Sequence, residues 1–133
     1  MIAGIGIDIV EVDRIRKSLT RWGDRFQSQI LNELEVRQLR NMDSASAYLA
    51  RQFAAKEAVA KALGTGMNKG VSLKDILVLR EKSGAPFVQL LGGAKEQAKF
   101  QGIASVLISI SEEKAYAIAY AMAIKEPSDL SDA

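Results

Sequence analysis

The sequence predicts an α+β domain, an antiparallel sheet packed against a long helix. Period-2 alternation marks strands at both ends of the chain, and an alanine-rich stretch of helical pattern lies between them. No internal repeat or linker divides the 133 residues, so one domain is expected over 1–125, with a polar, frayed tail over 126–133.

In IAGIGIDIV, Ile5, Ile7 and Ile9 point one way and Gly4, Gly6 and Asp8 the other. The isoleucine face is expected in the core. The opposite face is nearly bare around Asp8, so a backbone, metal or ligand can come close. From Asp13 the period becomes helical, with Ile15, Leu19, Trp22 and Phe26 on one side and Arg14, Lys17, Arg21 and Arg25 on another, until Gly23 bends the run. Asn32 and Glu35 form a capping-box pattern for a short helix to Leu39. Asp43 or Ser44 caps a long helix that stops at Gly64.

Strands follow over 75–80 and 86–91, joined by EKSGA, then a short helix over 94–100 ended by Gly102. A strand pair over 104–111 and 116–124 closes the domain. In its last strand large residues alternate with Ala117, Ala119, Ala121 and Ala123, a thin face suited to a helix or a second subunit.

Composition narrows the chemistry. With no Cys and no His, zinc–thiolate sites, imidazole-based nucleophilic sites and disulfides are excluded, leaving carboxylates, Lys, Arg, hydroxyls or a hard cation. No apolar stretch approaches the roughly 18 residues of a membrane span, so a cytoplasmic protein without membrane contact is expected. A formal charge of +2 gives no reason to expect nucleic acid. Aromatic residues do not interleave with the basic stripe as base stacking would need, so an acidic protein surface suits it better.

The chemistry-bearing residues are few. Glu57 and Lys61 stand at i and i+4, an ordinary surface pair by spacing alone. Phe53, Ala54, Ala58 and Ala60 surround Glu57, however, leaving its carboxylate on an apolar, small-residue surface. Asp8 is likewise a lone carboxylate on a glycine-walled face. If strand and helix lie side by side, the two acids converge, and two oxygen donors suit Mg²⁺, which keeps waters and takes phosphate oxygens. The exit loop LGTGMNKG then offers Gly64 and Gly66 as points of backbone approach to an anion, with Lys61 and Lys69 nearby. It matches neither the P-loop nor GxGxxG.

GIGIDIVEVDRI (4–15) and FAAKEAVAKALGTG (53–66), in this order and spacing, resemble the holo-acyl-carrier-protein synthases of the 4′-phosphopantetheinyl transferase superfamily. The likeness continues through SGAPF and the ISIS and YAIA strands. It implies that superfamily's fold and the transfer of phosphopantetheine from coenzyme A to a serine of apo-acyl carrier protein, releasing adenosine 3′,5′-bisphosphate. By the same resemblance Asp8 and Glu57 match Mg²⁺ ligands, and Lys61 a phosphate-contacting lysine. The loop Gly64, Thr65 and Gly66 and the turn with Ser83, Gly84 and Pro86 match segments around the coenzyme. Arg14, Lys17 and Arg21 match the docking face for the acidic carrier, and a homotrimer with sites between protomers is implied.

Glu57 or a metal-bound water would accept the serine proton. Two positions depart from the family pattern. Glu112 stands where many members have His, leaving that coenzyme contact open or given to another residue such as Lys114. Gln52 stands where Arg is common, with Arg51 about 100° away around the helix. A Mg²⁺-dependent phosphohydrolase acting on a small nucleotide and a non-catalytic trimeric adaptor are the rival readings.

Overall fold

A computed structural model describes residues 1–127, so six residues of the expected tail lie outside the described part. Strand β1 (Ile2–Glu11) leads into helices α1 (Val12–Trp22), α2 (Asp24–Ile30), α3 (Glu33–Leu39) and α4 (Ala45–Ala62). A 3₁₀ turn (Leu73–Asp75) precedes β2 (Ile76–Arg80) and β3 (Pro86–Leu90), followed by α5 (Gly92–Phe100), β4 (Ile103–Glu112) and β5 (Tyr116–Lys125). β1, β5 and β4 form an antiparallel sheet in that order, while β2 and β3 form a separate hairpin. Among the described residues no helix is long and apolar enough to cross a membrane.

Helix α4 lies on the three-stranded sheet, and the close approach dictates which sheet face it covers. Ala117, Ala119, Ala121 and Ala123 are fully buried, and Gly4 and Gly6 stand against the helix backbone. A Cβ at Gly4 would overlap the Ala62 carbonyl oxygen, and one at Gly6 the Ala58 carbonyl oxygen. Only a face without side-chain bulk admits the helix this closely.

The expectation that the isoleucine face is core is therefore corrected. Ile5, Ile7 and Ile9 are 58–60% exposed and share their face with Leu107, Tyr116, Ile118 and Tyr120. Trp22, assigned by periodicity to the inner side of α1, is also exposed, whereas Ile15 is buried. Gly23, at φ 54°, ends α1 there and turns the chain into α2.

The caps follow the sequence. Asn32 accepts from the Leu34 N–H at 3.2 Å, and Glu35 reaches back to the Asn32 N–H at 3.0 Å. Ser44 caps α4 by accepting from Ala47 N–H.

Glu35 does more than cap. It is fully buried and paired at 2.6 Å with the fully buried Lys56 ammonium, which also donates to the Ile30 and Leu73 carbonyls. The other Glu35 oxygen accepts from Gln52 and from Val78 N–H, and the Tyr48 hydroxyl donates to the Glu35 carbonyl. Three N–H donors meeting three oxygens satisfy an ammonium, so one buried ion pair ties α3, α4 and β2 together. Burial pushes the Lys56 pKa below its usual value against the pull of Glu35.

Candidate active site

The glycine-walled contact between β1 and α4 sets the site. Asp8 follows Gly6 by two residues on the same strand face, and Glu57 and Lys61 project from the helix that this face touches. Lys61 Nζ donates to Asp8 Oδ1 at 3.2 Å and to the Ile7 carbonyl at 2.9 Å. The helical i,i+4 partner of Lys61 is thus set aside for an acid from the first strand.

The second Asp8 oxygen, Oδ2, is buried and, among the described residues, without a hydrogen-bond partner. An orphaned carboxylate oxygen in that position is costly unless something charged meets it. Glu57 is half-buried close by; burial raises its pKa first, the negative charge of Asp8 raises it further, and Lys61 pulls the other way. Two carboxylates that repel each other, one with an unsatisfied oxygen, fit a hard divalent cation such as Mg²⁺. Among the described residues no group of three or more His, Cys, Asp or Glu side chains clusters, so any such ion would take its remaining ligands from water or substrate.

Beside Asp8 a cleft of about 370 Å³ opens, lined by Arg14, Ser18, Phe26 and Phe53 among others. A groove of about 410 Å³ adjoins it between α1 and α2, bordered by Ser18, Trp22, Arg25, Phe26 and Gln29. The basic stripe edges both. Its members differ in availability: Lys17 pairs with Asp13 at 3.1 Å, a carboxylate it shares with Arg16 outside the stripe, whereas Arg21 stacks on the Trp22 ring at 4.9 Å. Aromatic side chains therefore do stand among the arginines, against the expectation from the sequence: Trp22 and Phe26 border the same groove as Arg25.

The loop after α4 also differs in detail from expectation. Gly64 and Gly66 hold positive φ, but their N–H groups donate to the Lys61 and Ala60 carbonyls, closing the helix end. They are not free to cradle an anion. The Thr65 side chain is buried, its hydroxyl donating to the Gly66 carbonyl. Ser83 and Gly84 belong to the turn joining β2 to β3, where Arg80 donates to the Gly84 carbonyl, and Pro86 opens β3. Among the described residues nothing hydrogen-bonds that turn to Asp8, Glu57 or Lys61.

The two departing positions have structural explanations. Gln52 is buried, donating to Glu35 and to the Val78 carbonyl, so it serves the internal network. Glu112 accepts from Arg51 at 2.6 Å, and Arg51 also lies over the Tyr48 ring. Sequence reasoning missed Lys56 and Glu35. No local signal separates Lys56 from an exposed helical lysine, and the capping role of Glu35 hid its second one.

A sequence profile of the 4′-phosphopantetheinyl transferase superfamily matches residues 4–121, which places the chain in that class of protein. A holo-acyl-carrier-protein synthase of Halorhodospira halophila is 44% identical over 93% of this chain and 98% of its own length. The Neisseria meningitidis holo-acyl-carrier-protein synthase structure superposes with a TM-score of 0.89 at 36% identity, covering 94% of this chain and all of that one. The Helicobacter pylori synthase solved in complex with coenzyme A superposes with a TM-score of 0.79 at 34% identity, covering 90% of this chain and 98% of that one. The chain belongs to the holo-acyl-carrier-protein synthase family, enzymes of the 4′-phosphopantetheinyl transferase superfamily.

Proposed function

We propose that this chain transfers the 4′-phosphopantetheine group of coenzyme A to a serine hydroxyl of apo-acyl carrier protein, in the cytoplasm and with Mg²⁺ as cofactor. The observation that carries the reading is the buried, unpartnered Asp8 Oδ2 beside Glu57 and Lys61. Asp8 and Glu57 hold the ion, which when bound neutralises charge on the coenzyme's diphosphate.

The serine oxygen attacks the phosphorus that carries the pantetheine arm. The bond to the bridging diphosphate oxygen breaks, and adenosine 3′,5′-bisphosphate leaves with the electron pair. Lys61 meets the developing charge on the phosphate oxygens as a compact point charge. The hydroxyl proton needs an acceptor, and Glu57 or a water held at the cluster takes it. Residues Gly64 to Gly66 and the turn with Ser83, Gly84 and Pro86 border the coenzyme.

Arg14 and Arg21, with Lys17 at their edge, dock the acidic carrier. The support is the exposed basic face of α1, which leads directly into the cleft beside Asp8. The uncovered apolar sheet face, Ile5, Ile7, Ile9, Leu107, Ile118 and Tyr120, supports a homotrimer, since a patch of that kind on a lone chain calls for a partner.

The test is intact-mass spectrometry of apo-carrier incubated with the chain, coenzyme A and either Mg²⁺ or EDTA. A gain of one phosphopantetheine that needs Mg²⁺ and is lost in Asp8→Ala and Glu57→Ala is expected. Unmodified carrier in the presence of folded protein would refute the transferase reading, and full activity of Asp8→Ala would refute the assignment of the site.

A further inference from the structure

We propose that Gly6 is a positioning residue, fixing the spacing between β1 and α4 at which Asp8 meets Glu57 and Lys61. The inference rests on the reading of Asp8 and Glu57 as the ligands of a divalent ion. Its basis is steric. A methyl at Gly6 would overlap the Ala58 carbonyl oxygen and stand 2.8 Å from both Ala62 N and Lys61 Cβ.

Those atoms belong to the helical turn that begins beside Glu57 and contains Lys61, so the wedge would fall on the acid and the lysine at once. Restoring contacts of roughly 3.5 Å, the Ala58 carbonyl oxygen being the limiting one, requires β1 and α4 to separate by about 1.5 Å. The strand yields more easily than the helix. Among the described residues β1 is an edge strand, hydrogen-bonded into the sheet through β5 alone, whereas eleven side chains of α4 are buried and Lys56 anchors it to three other segments. Asp8, two residues along the same face, moves with the strand.

Gly4 provides the internal comparison. Its Cβ would overlap the Ala62 carbonyl oxygen with Ala62 carbonyl carbon next at 3.2 Å, all at the end of α4 beyond Lys61. Alanine there disturbs packing but acts four residues from Asp8, on the far side of Gly6.

Mn²⁺ binding, followed by electron paramagnetic resonance of the free ion, separates the two roles when melting curves are recorded on the same samples. We expect Gly6→Ala to remain folded, to bind Mn²⁺ about 10-fold or more weakly, and to lose about 100-fold in kcat with the carrier KM little changed. Gly4→Ala should lower Tm yet leave Mn²⁺ affinity close to wild type. Should Gly6→Ala fail to fold, Ala119→Ser and Ala119→Val grade the same separation from β5, because Ala119 is fully buried and registers with Asp8. Affinity should then fall with side-chain size.

Wild-type Mn²⁺ affinity in Gly6→Ala or across the Ala119 series, or equal losses in Gly4→Ala and Gly6→Ala, would overturn the positioning role. Failure of the underlying reading has another signature: wild type and Asp8→Asn would then bind Mn²⁺ alike.

Discussion

Replacing Lys56 with Met tests how the central helix is held. The ammonium is fully buried, donates to three oxygens at 2.6–2.9 Å, and is the only cation paired with the fully buried Glu35 among the described residues. Methionine matches the length of the side chain but leaves Glu35 charged and without a counter-ion, and breaking a buried pair from one side costs about 3–5 kcal/mol. For a domain of this size, between the ranges for smaller and larger ones, that is a fall in Tm of about 10–20 °C.

The assay is thermal unfolding by circular dichroism, backed by urea titration. Protein concentration must be fixed across variants, because an assembling chain has a concentration-dependent Tm. The double variant Glu35→Leu with Lys56→Met removes both charges, so the two losses should fail to add by about 2 kcal/mol. A loss below about 1 kcal/mol in Lys56→Met would refute the reasoning, since Glu35 would then be finding solvent or a proton at little expense.

Glu57 gives a pH prediction in metal-free buffer. Its folded pKa is raised, so the native state holds the proton more tightly than the unfolded chain. Stability relative to Glu57→Gln should therefore fall as pH rises from the ordinary Glu value through the raised one, then level off; urea midpoints across about pH 4 to 7 read this. A rising difference would reverse the sign of the argument. Charge reversal at Arg14 and Arg21 should raise the carrier KM by about 10-fold or more while kcat changes little, and added salt should narrow the gap. Initial-rate kinetics check this, with an unchanged KM counting against the docking face. Ile7→Lys puts a charge in the middle of the uncovered sheet face, and sedimentation should then report monomers where wild type assembles.

Much of this architecture can be read directly from the residues. Alternation in β1 and β5, the Asn32 and Ser44 caps and the glycine after α4 are local signals, and each falls where local geometry needs it. The cluster of Asp8, Glu57 and Lys61 was legible for a related reason: each acid stands on a face made mostly of small or apolar residues. Lys56 was not legible, because a lysine inside an alanine helix looks the same in sequence whether it meets water or a buried carboxylate. The free donors expected at Gly64 and Gly66 failed because a helix end uses its own nearest amides first.

By itself the sequence determined which residues share a strand or helix face, which chemistry was excluded by the lack of Cys and His, and which carboxylates were candidates. Only the tertiary structure decided which face of the sheet turns inward. Hydrophobicity alone favours burying Ile5, Ile7 and Ile9, but a helix backbone can reach the sheet only over Gly4, Gly6 and the alanines of β5. Steric fit across that contact therefore prevails within one chain. It brings Asp8 to Lys61 and leaves the isoleucines facing outward.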